Sequence, residues 1–255
     1  MEKENDLPAV IRNIKLTLEY DGSGFFGFQR QIDRPTIQAA LEEALTRLFN
    51  RPMKIAAAAG RTDAGVHAAG QVVNVKTNSR LTPEKIQTAL NALLPKDIAV
   101  KRAEEAPAKF HARYGAKWKT YEYRILHSKV RSPLLNGRAY RYPRPLDLGK
   151  MKRAARLFTG RHDFKAFQAS GSGVKSSVRR IRRFTVRKNG DLICFVIEAD
   201  GFLYHMVRTL VGTLLEVGRG ALGLKELEAM VRRPDRRLVG PTVPAGGLTL
   251  LSVSY

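Results

Sequence analysis

Apolar and polar residues alternate in many short stretches of this chain, and a period of two is typical of half-buried β-strands. The strands predicted in this way span residues 14–20, 54–59, 71–75, 98–103, 120–125, 139–142, 177–187, 191–197 and 248–254. In other stretches apolar residues recur every three or four positions, which predicts helices at 37–48, 83–93, 148–158, 202–217 and 224–233. Strands and helices share the chain, so a mixed α+β fold is expected.

Local signals mark two helix starts and one hairpin. Thr36 and Thr82 can each accept a hydrogen bond from the first turn of a helix, and Pro83 suits the first helical position. Asn189-Gly190, between two predicted strands, is a strong short-range signal for a tight hairpin. Neighbouring residues alone therefore predict where these elements begin or turn.

The order of the elements predicts two similar halves. Up to residue 108 the order is strand, helix, strand, strand, helix, strand, which is that of a ferredoxin-like α+β sandwich. From residue 109 the plan repeats, although the two parts share no visible sequence identity. We therefore predict an N-terminal half at 1–108 and a C-terminal half at 109–255.

The composition adds a strong positive charge to this picture. Lys and Arg number 45 against 23 Asp and Glu, a net charge of +22. Such an excess predicts attraction to a polyanion, and nucleic acid is favoured. No apolar run approaches the roughly 18 residues of a membrane span, and the polar first residues carry no secretory signal. We therefore expect a cytoplasmic location and no membrane association.

Neither a metal nor a cofactor is expected. The five histidines stand apart without metal-ligand spacing, and the single cysteine, Cys194, lies in a strand predicted to be buried. Residues 22–27 match Gly-x-Gly-x-x-Gly after a predicted strand, a pattern known from dinucleotide sites. Polar residues and Pro35 follow, rather than the helix that would bind a pyrophosphate. A flexible loop of aromatic residues and glycines is expected instead.

The stretch 60–68 places one aspartate between two glycines directly after a strand-like run. Its sequence is Gly-Arg-Thr-Asp-Ala-Gly-Val-His-Ala. By conformation alone Asp63 would be a turn former, but a carboxylate can also be a nucleophile. The stretch resembles the signature of the tRNA pseudouridine synthase A family. Weaker similarity extends from Tyr20 to Tyr255, with Phe28 where the family commonly has tryptophan.

The resemblance implies an enzyme that isomerises uridine to pseudouridine in the anticodon stem-loop of transfer RNA, at positions 38 to 40 in tRNA numbering. It implies two α/β halves joined through one continuous, mainly antiparallel sheet around a basic cleft, and a homodimer that shares the transfer RNA. Asp63 would be the nucleophile and would attack either C6 of the base or C1′ of the ribose. No cofactor is implied.

Three more residues receive roles from the resemblance. Arg208 corresponds to an arginine that pairs with the catalytic aspartate and would keep Asp63 ionised, and on an otherwise apolar helix its charge needs a partner. Tyr121 corresponds to a tyrosine placed over the target uracil, although its strand pattern alone favours core packing. Arg61 would help to hold the flipped nucleotide out of its helix. The family more often has asparagine or a small residue at the position of Asp200.

The longest cationic run predicts contact with the RNA backbone. It consists of Lys175, Arg179, Arg180, Arg182 and Arg183, after a pliant stretch at 169–173. Paired arginines are expected on both faces of the strand, so some must meet a carboxylate or a phosphate. Phosphate contact suits A-form RNA, which is recognised mainly by shape and backbone. A solvated strand face is the alternative, and Lys117, Lys119 and Arg138 could extend an RNA track.

Two other functions fit part of the sequence. A non-catalytic RNA-binding module, such as an RNA chaperone or assembly factor, would explain the charge and the element order. It would not explain a lone carboxylate among arginines, which repels phosphate. A base-excising glycosylase would also use an aspartate, but it lowers the mass of the RNA, whereas isomerisation leaves the mass unchanged.

Overall fold

Alternating strand residues build one ten-stranded sheet, against which the helices pack. The computed structural model describes residues 11–171, 174 and 176–255. The elements of the N-terminal part are β1 (Arg12–Tyr20), α1 (Ile37–Phe49), β2 (Ala57–Ala58), β3 (His67–Thr77), α2 (Pro83–Leu93) and β4 (Ile98–Ala106). Those of the C-terminal part are β5 (Trp118–Leu126), β6 (Tyr140–Arg141), α3 (Leu148–Leu157), β7 (Gly160–Asp163), β8 (Val178–Asn189), β9 (Leu192–Ala199), α4 (Met206–Gly218), α5 (Leu224–Arg232) and β10 (Leu248–Ser254).

The two halves of the sheet have the same strand order. The N-terminal strands are arranged β4-β1-β3 with β2 beside β3, and every one of these pairs is antiparallel. The C-terminal strands are arranged β10-β5-β9-β8, again antiparallel, with β7 added beside β8. This order is expected from two ferredoxin-like units, so the predicted α+β fold class is confirmed.

The last strand of the chain joins the halves. β10 pairs in parallel with β3, through Thr249 opposite His67 and Leu250 opposite Ala68, and antiparallel with β5. The sheet is therefore continuous and mainly antiparallel, and the last residues of the chain lie beside the strand that follows the aspartate loop. The predicted division at residue 108 falls between β4 and β5 and stays a prediction.

Local signals gave several elements correctly. The Thr36 side chain accepts a hydrogen bond from the Ala39 N–H, and the Thr82 side chain accepts one from the Lys85 N–H. β8 and β9 form the expected hairpin, and Gly190 in its loop has a φ of 55°. Each of these features depends on residues that are close in sequence.

Several elements differ from the predictions. The strand predicted at 54–59 is only the two residues of β2, and β3 begins at His67 rather than at residue 71, so it includes the end of the 60–68 stretch. The helix predicted from residue 202 begins at Met206, because His205 takes a left-handed backbone conformation with φ 62°. Gly160–Asp163, too polar to be predicted as a strand, forms β7 by pairing with β8.

A β-bulge corrects the prediction for the arginine pairs. It lies between Ile181 and Arg183, so that Arg183 faces Glu198 while Ile181 faces Ala199. The extra residue lets Ile181 and Phe184 both be buried, whereas Arg182 and Arg183 are both exposed. The two arginines of this pair do not occupy opposite faces of the strand.

Cys194 is also less buried than predicted. It is half-buried, because β9 alternates between a core face and a partly exposed face. Ile193, Phe195 and Ile197 take the core positions of the strand, and Cys194 lies between them on the other face.

Candidate active site

Asp63 lies on the loop between β2 and β3, and a tight turn fixes its backbone. The Val66 N–H donates to the Asp63 carbonyl over 3.1 Å, and Gly65 has a φ of 76°. A type II turn requires a positive φ at its third position, which glycine adopts without steric cost. Asp63 is therefore a turn residue in its backbone, while its side chain, 22% exposed, remains accessible to a substrate.

The glycines of residues 22–27 hold this loop in place. A Cβ on Gly22 would lie 2.1 Å from the Val66 carbonyl oxygen, and one on Gly27 would lie 2.8 Å from that of Thr62. Gly27 also has a φ of 90°. Its neighbour Phe28 donates its N–H to the Thr62 carbonyl over 3.0 Å. The two glycines therefore permit close backbone packing against the aspartate loop.

Arg208 brings its guanidinium to Asp63 from the C-terminal half. Its Nη1 lies 3.2 Å from Oδ2 of Asp63, and its Nε donates to the Val243 carbonyl over 2.8 Å. Arg208 belongs to the first turn of α4, and its side chain is only 14% exposed. A cation so little exposed needs partners, and a carboxylate and a carbonyl provide two. The pairing of Arg208 with Asp63 is present, and its part in catalysis stays a prediction.

His205 is a second neighbour of Asp63 that the sequence analysis missed. Its Nε2 lies 3.5 Å from Oδ2 of Asp63, and its ring stacks on Tyr204 with centroids 3.9 Å apart. Burial lowers the pKa of His205; Asp63 opposes this effect and Arg208 adds to it. The imidazole is therefore mainly neutral at pH 7. A left-handed backbone at a residue other than glycine stores strain, which is typical of functional sites. The only sequence signal for His205 was its position three residues before Arg208.

Tyr121 reaches the same region from β5. Its side chain is buried, and its ring meets that of Phe202 edge-on with centroids 5.0 Å apart. Burial raises the pKa of Tyr121 strongly, and the neighbouring Tyr20 and Asp63 raise it further. The phenol is therefore neutral at physiological pH and can donate or accept a hydrogen bond without acting as a phenolate. Tyr121 therefore packs in the core and also lies near Asp63.

Arg61 is exposed on the aspartate loop, two residues before Asp63. The Gln71 side chain donates to the Gly60 carbonyl over 2.9 Å and so fixes the backbone next to Arg61. The structure therefore places an exposed cation at the edge of the loop that holds the Asp63 carboxylate.

The arginines of β8 fall into two groups. Arg182 and Arg183 share Glu198, at 3.1 and 3.7 Å. Among the residues that the structure describes, no carboxylate forms an ion pair with the guanidinium of Arg179 or Arg180. Lys175, which the sequence analysis placed in the same run, lies outside the described residues.

Asp200 has a local role at this strand. Its Oδ1 accepts the Arg180 backbone N–H over 3.0 Å, and its own N–H donates to the Arg180 carbonyl. The Asp200 carboxylate therefore adds a hydrogen bond between β8 and the residue that follows β9.

Comparison with known proteins shows the family of this chain. A family model described as tRNA pseudouridine synthase matches residues 17–115 and 154–255. The chain belongs to the tRNA pseudouridine synthase family. The tRNA pseudouridine synthase A of Caldicellulosiruptor bescii is 43% identical over 245 residues, which cover 96% of this chain and 100% of that protein. The enzyme of the same name from Acetivibrio thermocellus is 44% identical over 245 residues, with the same coverage.

A more distant similarity is to a solved structure described as the archaeal box H/ACA sRNP Nop10-Cbf5 complex. It has a TM-score of 0.36 and 13% sequence identity, and it covers 89% of this chain and 59% of that chain.

The two segments matched by the family model contain some of the candidate site residues and not others. Asp63 lies in the first matched segment and Arg208 in the second, whereas Tyr121 lies between them. The tertiary structure brings all three together, since Arg208 contacts Asp63 and Asp63 lies near enough to Tyr121 to raise the pKa of its phenol. Within the described ranges, no group of three or more His, Cys, Asp or Glu could hold a metal ion, and no helix there is long and apolar enough to cross a membrane.

Proposed function

We propose that this member of the tRNA pseudouridine synthase family isomerises uridine in the anticodon stem-loop of transfer RNA, at positions 38 to 40 in tRNA numbering, with Asp63 as nucleophile. The observation that supports it most directly is the ion pair between Asp63 and Arg208, 3.2 Å apart, on a partly exposed loop. A module that only bound RNA would have no use for a carboxylate that repels phosphate. Relatives that match 96% of the chain carry the name tRNA pseudouridine synthase A, which favours the same reaction.

The reaction conserves every atom of the uridine. The bond from N1 to C1′ breaks, the base rotates, and a bond from C5 to C1′ forms. C5 loses its proton and N1 gains one, so no oxidant or reductant takes part. The Asp63 carboxylate forms a transient bond to C6 or to C1′ and is released at the end. The two attack positions remain alternatives.

Three residues near Asp63 have roles in this proposal. Arg208 orients the carboxylate through its charge-assisted hydrogen bond. The neutral Tyr121 hydroxyl can hydrogen-bond near the base and assist proton transfer from C5. Arg61 helps to hold the target nucleotide out of its helix, because a base stacked in a duplex cannot reach the Asp63 carboxylate.

Residues farther from the reacting atoms would bind the RNA backbone. Arg179 and Arg180 are the arginines of the β8 run that have no described carboxylate partner, and they suit phosphate contact. Arg182 and Arg183 share one carboxylate, so part of their charge also remains available. Lys175 belongs to the same proposed track by sequence alone.

Assembly and location complete the proposal. We place the two halves at 1–108 and 109–255, and we propose a homodimer that shares one transfer RNA and works in the cytoplasm without a cofactor. Light scattering of the purified protein tests the dimer, since the chain has a mass of 28.5 kDa and the proposed assembly has twice that mass. A monomer at micromolar concentration, with and without transfer RNA, would contradict it.

The decisive experiment uses the Asp63→Asn variant and transfer RNA that carries tritium at C5 of uridine. The wild-type protein should release tritium to water as C5 bonds to the ribose, without changing the RNA mass. Asp63→Asn keeps the shape and loses the nucleophile, so it should bind transfer RNA normally and release none. Turnover within about tenfold of wild type would remove Asp63 from the chemistry. A lower RNA mass would indicate excision, and bound but unaltered uridine would indicate a binding module.

A further inference from the structure

Lys119 lies at the start of the aspartate loop without belonging to it. Its Nζ donates to the Ala59 carbonyl over 2.5 Å and would lie 3.5 Å from a Cβ on Gly60. Lys119 and Tyr121 are two residues apart on β5, so their side chains point to the same face of the sheet. The ammonium group therefore contacts the residues just before Arg61 and lies on the side of the sheet that holds Tyr121.

The surroundings of Lys119 are unusually cationic. Burial, together with the nearby charges of Arg113 and Arg179, lowers the pKa of Lys119 to about 8. Arg179 Nε would lie 3.2 Å from a Cβ on Gly201, two residues beyond the Ala199 that pairs with Lys119. Among the described residues, no carboxylate forms an ion pair with any of these three cations. The strands on either side place Val253 and Ala199 opposite Lys119, and neither residue titrates.

Three cations brought together without an anion are unfavourable for the protein alone. Burial and like-charge repulsion disfavour the protonated lysine, and only a ligand of negative charge reverses both effects. The single described acceptor for the ammonium group, the Ala59 carbonyl, carries no net charge. The three cations thus lack an anionic partner, and the phosphates of transfer RNA, the substrate of this enzyme family, would provide one.

We propose that Lys119, Arg113 and Arg179 form a phosphate site that holds the RNA backbone next to the flipped uridine. The site lies at Gly60, so an RNA phosphate held there would fix the strand close to Asp63 while the base rotates. This inference rests on the proposed function for the identity of the polyanion. Lys119 is thereby a positioning residue and takes no part in bond making.

The site should titrate in a range where few RNA-binding contacts do. Arginine side chains stay charged at all accessible pH values, so Lys119 is the member of the three that loses its charge. At pH 8 roughly half of the unbound protein carries a neutral Lys119, and because a phosphate favours the charged form, binding should take up about half a proton. Affinity should be full below pH 7 and fall by about tenfold between pH 7 and pH 9.

The experiment measures proton uptake by isothermal titration calorimetry. Transfer RNA binds at pH 8 in two buffers that differ in ionisation enthalpy, and affinity is followed from pH 7 to 9. Lys119→Arg keeps the positive charge and does not titrate, so it should bind without proton uptake and without the fall in affinity. Titration of the RNA bases affects both proteins equally and cancels in the comparison. Lys188→Met, which removes an exposed lysine near the β8–β9 turn, should behave as wild type.

Lys119→Met tests the charge itself. At pH 7 it should reduce the magnitude of the slope of log affinity against log salt by roughly 0.7 to 0.9, the value for one lost phosphate contact. Circular dichroism and thermal unfolding show whether this variant folds, and Lys119→Arg gives the answer independently if it does not. Undiminished proton uptake by Lys119→Arg would overturn the inference. A wild-type protein that binds transfer RNA but forms no pseudouridine would instead overturn the proposed function.

Discussion

Replacing Arg208 with methionine tests the ion pair at the centre of the proposed site. Methionine retains the apolar stem of the side chain and suits the first turn of α4, but it removes the guanidinium that contacts both Asp63 and the Val243 carbonyl. Asp63 then loses its nearest cation, and a carbonyl of a buried residue loses its donor. Activity and stability should therefore both fall, activity by more.

The structure sets the size of these effects. Two unit charges 3.2 Å apart attract by about 5 kcal/mol at an effective dielectric constant of 20, before the cost of desolvation. Net contributions of charge-assisted hydrogen bonds are nearer 1.5–3 kcal/mol. A loss of about 2–3 kcal/mol in transition-state stabilisation corresponds to a decrease in kcat/KM of roughly 30- to 150-fold. The unpaired Val243 carbonyl should cost about 1–3 kcal/mol in the free energy of unfolding.

Tritium release from C5-labelled transfer RNA measures the first effect, and denaturant unfolding measures the second. Arg208→Lys is the companion variant, because it restores the charge but cannot make both hydrogen bonds. Its kcat/KM should lie between those of Arg208→Met and the wild type. Arg102→Met is the control, since it removes one arginine that is paired with a carboxylate but lies exposed, on β4 at the outer edge of the sheet. If Arg208→Met kept kcat/KM within threefold of the control, the ion pair would have no catalytic role.

Three further outcomes follow from the same structure. Tyr121→Phe should leave transfer RNA affinity unchanged and slow isomerisation, because the ring stays and only the neutral hydroxyl is lost; a full rate in single-turnover kinetics would leave Tyr121 with packing alone. Arg180→Gln combined with Arg183→Gln should flatten the salt dependence of binding by up to roughly 0.7 to 0.9 per lost phosphate contact, and an unchanged slope would make the run a solvated strand face. Gly212→Ala should cost about 1–3 kcal/mol of stability by overpacking, because its Cβ would lie 1.8 Å from the Pro241 carbonyl oxygen, whereas Gly24→Ala, with nothing within 4 Å, should unfold at the wild-type denaturant concentration.

The sequence alone determined those features that depend on neighbouring residues. The caps at Thr36 and Thr82 were predicted correctly because the accepting side chain and the donating N–H are three residues apart. Strand alternation and element order gave the α+β class, since the side-chain period of a strand is local. The 60–68 stretch pointed to Asp63 because its residues are contiguous, and the turn that presents the carboxylate is formed within it.

Tertiary structure decided which distant groups meet. Asp63 and Arg208 are 145 residues apart in sequence. They meet because β10 pairs with β3 and so joins the two halves in one sheet. The spacing of residues along the chain cannot predict that these two side chains are in contact. His205 was missed for the same reason, since its left-handed backbone is stabilised by the folded surroundings rather than by its own preference.

Burial likewise belongs to the whole fold. The bulge that exposes both Arg182 and Arg183 depends on how β8 pairs with β9, and a strand considered alone has no bulge. Lys119 has the residue type of an ordinary surface cation, yet its pKa is lowered because the assembled sheet removes water from it and brings two arginines near. Desolvation and charge proximity arise only when segments remote in sequence pack together. The sequence therefore pointed to Asp63 as a candidate, and the structure supplied its electrostatic surroundings.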